Sequence, residues 1–65
     1  MLVSELRDKC IYPWEPVLID IDGSLWPIVF IGDSNVHVGN TQEPLFAYEI
    51  LEELEGKDGK LEIVK

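Results

Sequence analysis

The central third of the chain has the hydrophobic pattern of β-strands. Between Pro16 and Val38, β-branched and aromatic residues form short runs that are separated by turn signals. In the first run, every second position is β-branched and apolar: Val17, Ile19 and Ile21. These residues alternate with Leu18, Asp20 and Asp22. This period of two is typical of a strand with one apolar face. The segment therefore predicts a meander of three antiparallel strands.

Two turns set the expected register of this meander. Gly23 and Ser24 are expected to form a two-residue turn, because a type II′ turn requires a positive φ at its first position. That register pairs the apolar residues of one face: Ile21 with Trp26, Ile19 with Ile28 and Val17 with Phe30. A second turn over residues 32–35 pairs those of the opposite face: Ile31 with Val36 and Val29 with Val38, beside Leu18. Both faces of the sheet are therefore expected to be apolar.

Helical spacing of apolar residues flanks the meander on both sides. Residues 2–10 carry an apolar stripe, with Ser4 as the expected cap and Pro13 as the stop. From Pro44 to Glu55, apolar residues face one side of a helix and glutamates the other, and residues 61–64 alternate as a strand. These patterns predict one α+β domain over residues 1–65: a short N-terminal helix, a three-strand antiparallel meander, one amphipathic acidic helix and a short C-terminal strand.

A short aromatic segment joins the first helix to the meander. Tyr12-Pro13-Trp14-Glu15-Pro16 combines two prolines with two aromatic residues, which predicts a stiff connector. The rings of Tyr12 and Trp14 are expected to fold over the edge of the sheet. An aromatic ligand platform is the alternative interpretation of the same two residues.

The charge distribution restricts the kind of partner. The net charge is −8, from 13 acidic and 5 basic residues, and nine acids but no Lys or Arg lie between Cys10 and Gly56. Such a segment repels nucleic acid and membrane phosphates and attracts a basic protein surface. The expected partner-binding residues are Glu49, Glu52, Glu53, Asp20, Asp22 and Asp33. The alternative is a merely solvated acidic face.

The second apolar face of the meander predicts self-association. One helix of about a dozen residues covers roughly one face of a three-strand sheet, and the first helix is too short to cover the other well. A homodimer that buries the uncovered face is therefore expected. The residues assigned to that contact are Leu18, Val29, Ile31, Val36 and Val38.

Two strings resemble catalytic motifs. Asp20-Ile21-Asp22-Gly23-Ser24-Leu25 resembles the first motif of the haloacid-dehalogenase phosphatases, which implies that Asp20 is a nucleophile and Asp22 an acid/base. Gly32-Asp33-Ser34 resembles a later element of that family and the opening block of the SGNH esterases, with Ser34 as nucleophile. The phosphatase motifs lie on parallel strands, however, and parallel strands need a crossover of a dozen or more residues. Only a handful of residues separate the two strings, so we expect hairpin turns and no catalytic residue.

Metal, cofactor and disulfide signals are weak. Asp20, Asp22 and Ser24 have part of the spacing of a calcium loop, but the third acid and the closing Glu are absent. The single Cys10 excludes an internal disulfide and a cysteine-based zinc cluster. We therefore expect no cofactor and no metal. The start of the chain lacks the pattern of a secretory signal and no apolar run approaches a membrane span, which predicts a cytoplasmic protein.

Residues 1–38 contain three short motifs: Val3-x-Glu5-Leu6, Val17-x-Ile19-x-x-Asp22-Gly23 and Pro27-Ile28. In these motifs the first half of the chain resembles a loose group of very small proteins encoded by phages and mobile elements. The resemblance implies an origin and a fold, and it carries over no functional residue. The helix from Pro44 and the last strand depart from the pattern.

These observations predict a non-enzymatic small acidic interaction protein, phage-encoded in the version that the resemblance suggests. It is expected to bind and modulate, for example inhibit, a basic surface of a host protein, with nucleic-acid mimicry as one mode. Two alternatives stay open: a homo-oligomeric structural or accessory protein, and a small metal-dependent phosphatase-like enzyme that uses Asp20 and Asp22.

Overall fold

The computed structural model describes the whole chain, residues 1–65, as two helices and four strands. In chain order the elements are α1 (Val3–Lys9), β1 (Leu18–Ile21), β2 (Ser24–Ile31), β3 (Asn35–Val38), α2 (Ala47–Leu54) and β4 (Glu62–Val64). The strands form one sheet in the order β1-β2-β3-β4, in which β4 runs parallel to β3 and the other neighbours are antiparallel. The predicted α+β class and order of elements are confirmed. The meander is extended by β4 because α2 crosses over between two parallel strands.

The predicted turn between β1 and β2 is wrong by one residue. The two turn residues are Asp22 (φ 52°) and Gly23 (φ 83°), and Ile21 pairs with Ser24 instead of Trp26. Two consecutive positive φ values are those of a type I′ turn, for which Asp-Gly is a preferred pair because Asp tolerates the left-handed region. The Asp20 carboxylate supports the turn by accepting the Gly23 N–H at 3.0 Å. The register therefore moves by two residues, which leaves every side chain of β1 on its predicted face.

A β-bulge at Val29 changes which side chains face the core. In the β2–β3 pair, Ile31 lies opposite Val36 as predicted, but Val38 lies opposite Ile28 rather than Val29. The extra residue on β2 reverses the alternation, so that Ile31 points inward and Phe30 outward. The two predicted apolar faces thus contribute to one buried face, and the other face carries a different set of residues.

Both helices pack on the same face of the sheet and contact each other. A single core results, with residues from the sheet, from both helices and from the segment before β4: Val3, Leu6, Val17, Ile19, Ile28, Ile31, Val36, Val38, Ala47, Ile50, Leu54 and Leu61. Every buried residue is apolar. The opposite side of the sheet, here called the outer face, is covered by no element of the chain.

The helices begin at different residues from those predicted. Ser4 lies within α1, and the Leu2 N–H is instead bound by the Glu5 carboxylate at 3.2 Å. Residues 44–46 precede the helix. The Leu45 N–H donates to the Ile28 carbonyl at 2.8 Å, and Phe46 is extended and forms a β-bridge with Pro16. These contacts with the sheet and the connector delay the start of α2 to Ala47.

Candidate protein-interaction site

The connector between α1 and β1 is fixed to the first turn of α2. The Pro13 carbonyl accepts the Tyr48 N–H at 3.1 Å, and the Glu15 carbonyl accepts the Ala47 N–H at 2.9 Å. The first N–H groups of a helix have no partner inside the helix, so the connector satisfies two donors that otherwise need water. The connector and the start of α2 consequently hold a fixed relative position.

This attachment brings three aromatic rings together on the surface. The ring centroids of Trp14 and Tyr48 are 5.0 Å apart with planes at 60°, and those of Phe46 and Tyr48 are 6.1 Å apart and stacked. We call Trp14, Phe46 and Tyr48 the aromatic cluster. Trp14 is 74% exposed. The expectation that Trp14 folds over the sheet edge is wrong, because its ring packs on α2. Tyr12 is also exposed and is not part of the cluster.

The exposed side of α2 continues from the aromatic cluster into carboxylates. Tyr48, Leu51, Glu52 and Glu55 follow the helical spacing of one face, and all four are exposed. Glu53 is exposed as well, and the last turn contains no basic residue. Negative charges at the C-terminal end of a helix interact unfavourably with the helix dipole, so these carboxylates do not stabilise α2.

Glu49 has a structural role that its place in the acidic stripe of α2 did not indicate. Its carboxylate accepts the Phe46 N–H at 3.0 Å at the start of α2, and the side chain is half-buried. One oxygen of Glu49 is therefore engaged by the backbone, and the assignment of this residue to partner binding stays a prediction. A Glu at the third helical position reaching back to the residue before the helix is a known capping arrangement, which gave the available sequence signal.

The remaining predicted partner-binding residues lie elsewhere. Asp20 and Asp22 are exposed at the β1–β2 turn, and Asp33 is exposed at the turn between β2 and β3. These turns are at opposite ends of the eight-residue β2, which spans roughly 25 Å at about 3.3 Å per residue. The six predicted acids therefore do not form one surface. Glu52 and Glu53 are the two that lie on the exposed side of α2.

The strings that resemble catalytic motifs form turns. Asp20 binds the backbone of its own turn, Asp22 occupies the left-handed turn position, and β1 and β2 are antiparallel. His37 lies on β3, where its ring packs edge-on against Phe30 with centroids 5.4 Å apart. No group of three or more His, Cys, Asp or Glu side chains is placed to hold a metal ion.

Cys10 follows α1 as a half-buried thiol. Its Sγ donates to the Leu6 carbonyl at 3.4 Å, and burial raises the pKa of the thiol. Both effects favour the protonated form, which is the less nucleophilic one.

The outer face differs from the predicted self-association surface. Ile31, Val36 and Val38 are buried in the core, so their assignment to a dimer contact is wrong, and Val29 is half-buried at the bulge. Leu18 is exposed as predicted. The large apolar side chains exposed on this face are Leu18, Leu25 and Phe30. Alternation along β2 was the sequence signal for Leu25, which lies on the face opposite Trp26 in either register, whereas only the bulge places Phe30 there.

Comparison of the chain with protein-family models, with curated proteins and with solved structures finds no match. None of its helices has both the length and the apolar character that a membrane crossing requires.

Proposed function

We propose that the protein is a non-enzymatic interaction protein that docks on a basic surface of another protein. The binding surface consists of the aromatic cluster, the carboxylates of Glu52 and Glu53 on α2, and the carboxylate of Glu55 directly after the helix. A cytoplasmic location and a phage origin, with inhibition of a host protein as the outcome, belong to the same proposal.

The observation that carries this proposal is the exposure of the aromatic cluster beside those carboxylates. Aromatic residues are enriched in the centres of protein interfaces, and a charged rim steers the partner and fixes its orientation. Trp14 remains largely exposed although its ring is held against Tyr48. The acids are exposed in a segment of the sequence without Lys or Arg, so the complementary surface is basic.

Reversal of two charges on α2 tests the proposal. The double variant Glu52→Lys, Glu53→Lys is expected to lose capture of the partner from a bacterial lysate, and the wild-type capture is expected to weaken at high salt. The matched control is Asp33→Lys, Glu62→Lys, which makes the same change in net charge at exposed positions outside α2. Equal capture by both folded variants contradicts the proposal. Competition by duplex DNA identifies nucleic-acid mimicry.

A second function is favoured by the outer face. Leu18, Leu25 and Phe30 are 45%, 62% and 56% exposed on a sheet surface that no element covers. Exposed apolar patches of this kind mark interaction surfaces in soluble proteins. A two-fold contact between two copies buries the same residues in each and gives a homodimer, in which the chain acts as a structural or accessory protein.

A further inference from the structure

We infer that the aromatic cluster binds an arginine side chain of the partner, with the guanidinium group on the face of Trp14 or Tyr48 and a carboxylate of α2 as its counter-ion. This inference rests on the proposed function and specifies the chemistry that the partner presents. Under this inference the partner presents arginine, rather than a surface whose positive charge comes from lysine.

The rings of the aromatic cluster are open to a cation from outside the chain. The cation–π contact within the chain uses another ring: the Lys65 Nζ lies 5.1 Å from the centroid of Trp26. Trp14 is the most exposed large apolar side chain, and Tyr48 is 36% exposed. Trp gives the strongest cation–π attraction among the aromatic residues, and guanidinium groups use it more often than ammonium groups do.

Carboxylates stand within one helical turn of these rings. Glu52 follows Tyr48 by four residues on the same exposed side of α2, a spacing that places Cβ atoms about 5–6 Å apart. Glu15 is exposed directly after Trp14 in the connector. A planar guanidinium group stacks on a ring while its edge donates to a carboxylate, whereas a lysine ammonium is a compact and strongly hydrated charge.

The cluster is held in place before a partner arrives. The hydrogen bonds from Ala47 and Tyr48 to the connector carbonyls lock the segment that carries Trp14 to α2. A pre-ordered surface loses less conformational entropy on binding than a mobile one. The aromatic ring, the neighbouring carboxylate and the hydrogen bonds that fix the connector therefore lie together at the start of α2.

Peptide titrations followed by NMR test the inference. The probes are short glycine-spaced peptides that carry arginine, lysine or citrulline at identical positions. We expect the arginine peptide to bind roughly 3- to 10-fold more tightly than the lysine peptide and the citrulline peptide to bind weakest. The arginine peptide is also expected to shift the indole N–H resonance of Trp14 while leaving that of Trp26 unchanged.

Variants assign the preference to the aromatic cluster. Trp14→Ala and Tyr48→Leu are expected to abolish the preference for arginine, and Tyr12→Ala, which removes an exposed ring outside the cluster, is expected to preserve it. Circular dichroism confirms that each variant is folded, and Tyr48→Leu retains an apolar side chain on α2.

Equal affinity for arginine and lysine peptides, or no binding of either, overturns the inference. The proposed function fails separately, when reversal of Glu52 and Glu53 leaves capture of the partner unchanged. Sensitivity to that reversal without a preference for arginine therefore retains the proposed function and removes only the inference.

Discussion

Charge reversal at Glu49 is expected to destabilise the protein, whereas the same change at Glu52 is not. The Glu49 carboxylate accepts the Phe46 N–H and lies near the positive end of the α2 dipole. Loss of a cap of this kind costs about 0.5–2 kcal/mol, and an unfavourable charge at a helix end costs about 0.3–1 kcal/mol. We therefore expect Glu49→Lys to lower the free energy of unfolding by about 1–2 kcal/mol.

The expected change is measurable in a chain of this size. For domains of about 60–100 residues, 1 kcal/mol shifts Tm by roughly 4–8 °C, so Glu49→Lys is expected to lower Tm by roughly 5–15 °C. Glu52→Lys introduces a positive charge toward the negative end of the same helix, which leaves Tm unchanged or raises it slightly. The assay is thermal unfolding followed by circular dichroism at low salt. Equal Tm shifts in the two variants refute the assignment of Glu49 to capping.

Three further predictions concern the turns and the outer face. Gly23→Ala is expected to lower the free energy of unfolding, measured in urea, by about 1 kcal/mol, because Gly23 has a φ of +83°. Steric contact does not contribute, since a Cβ at Gly23 meets no atom within 4 Å. The control Gly39→Ala has equal space and no positive φ, so it is expected to leave the stability unchanged or to raise it. Sedimentation equilibrium is expected to show a dimer whose association strengthens with salt and that is lost in the double variant Leu25→Asp, Phe30→Asp. A wild-type monomer at all concentrations and salt levels contradicts dimerisation through the outer face. We expect no magnesium-dependent release of phosphate from a generic ester, and such activity abolished by Asp20→Asn contradicts the assignment of Asp20 to a turn.

Local patterns in the sequence were sufficient to predict the elements and the apolar side of α2. Of the four apolar residues at helical spacing, Ala47, Ile50 and Leu54 are buried and Leu51 is exposed. The pairing of Ile31 with Val36 is as predicted. These features depend on residues a few positions apart, whose geometry is set by one period.

The register and the faces of the sheet could not be predicted in the same way. Both Asp22-Gly23 and Gly23-Ser24 are acceptable turn pairs that match the twist of the strands, so the local sequence does not decide between two β1–β2 registers that differ by two residues. The bulge at Val29 has no distinctive residue, yet it reverses the orientation of Phe30 and Ile31. Burial of Ile31 then moves it from the expected dimer contact into the core.

The candidate site was predictable only in part. Exposure of Glu52 and Glu53 follows from the amphipathic pattern. Trp14 and Tyr48, by contrast, are far apart in sequence and meet because the connector carbonyls bind the first N–H groups of α2. Such a contact depends on tertiary structure, and no local sequence pattern predicts it.

The aromatic cluster and the acidic side of α2 form the proposed binding surface. Its most direct test is a titration of isotope-labelled protein with the partner captured from lysate, followed by amide chemical shifts. We expect the perturbed amides to concentrate in residues 12–15 and 46–55 and the perturbations to diminish at high salt. Perturbations confined to Leu18, Leu25, Phe30 and their neighbours on the outer face contradict this expectation.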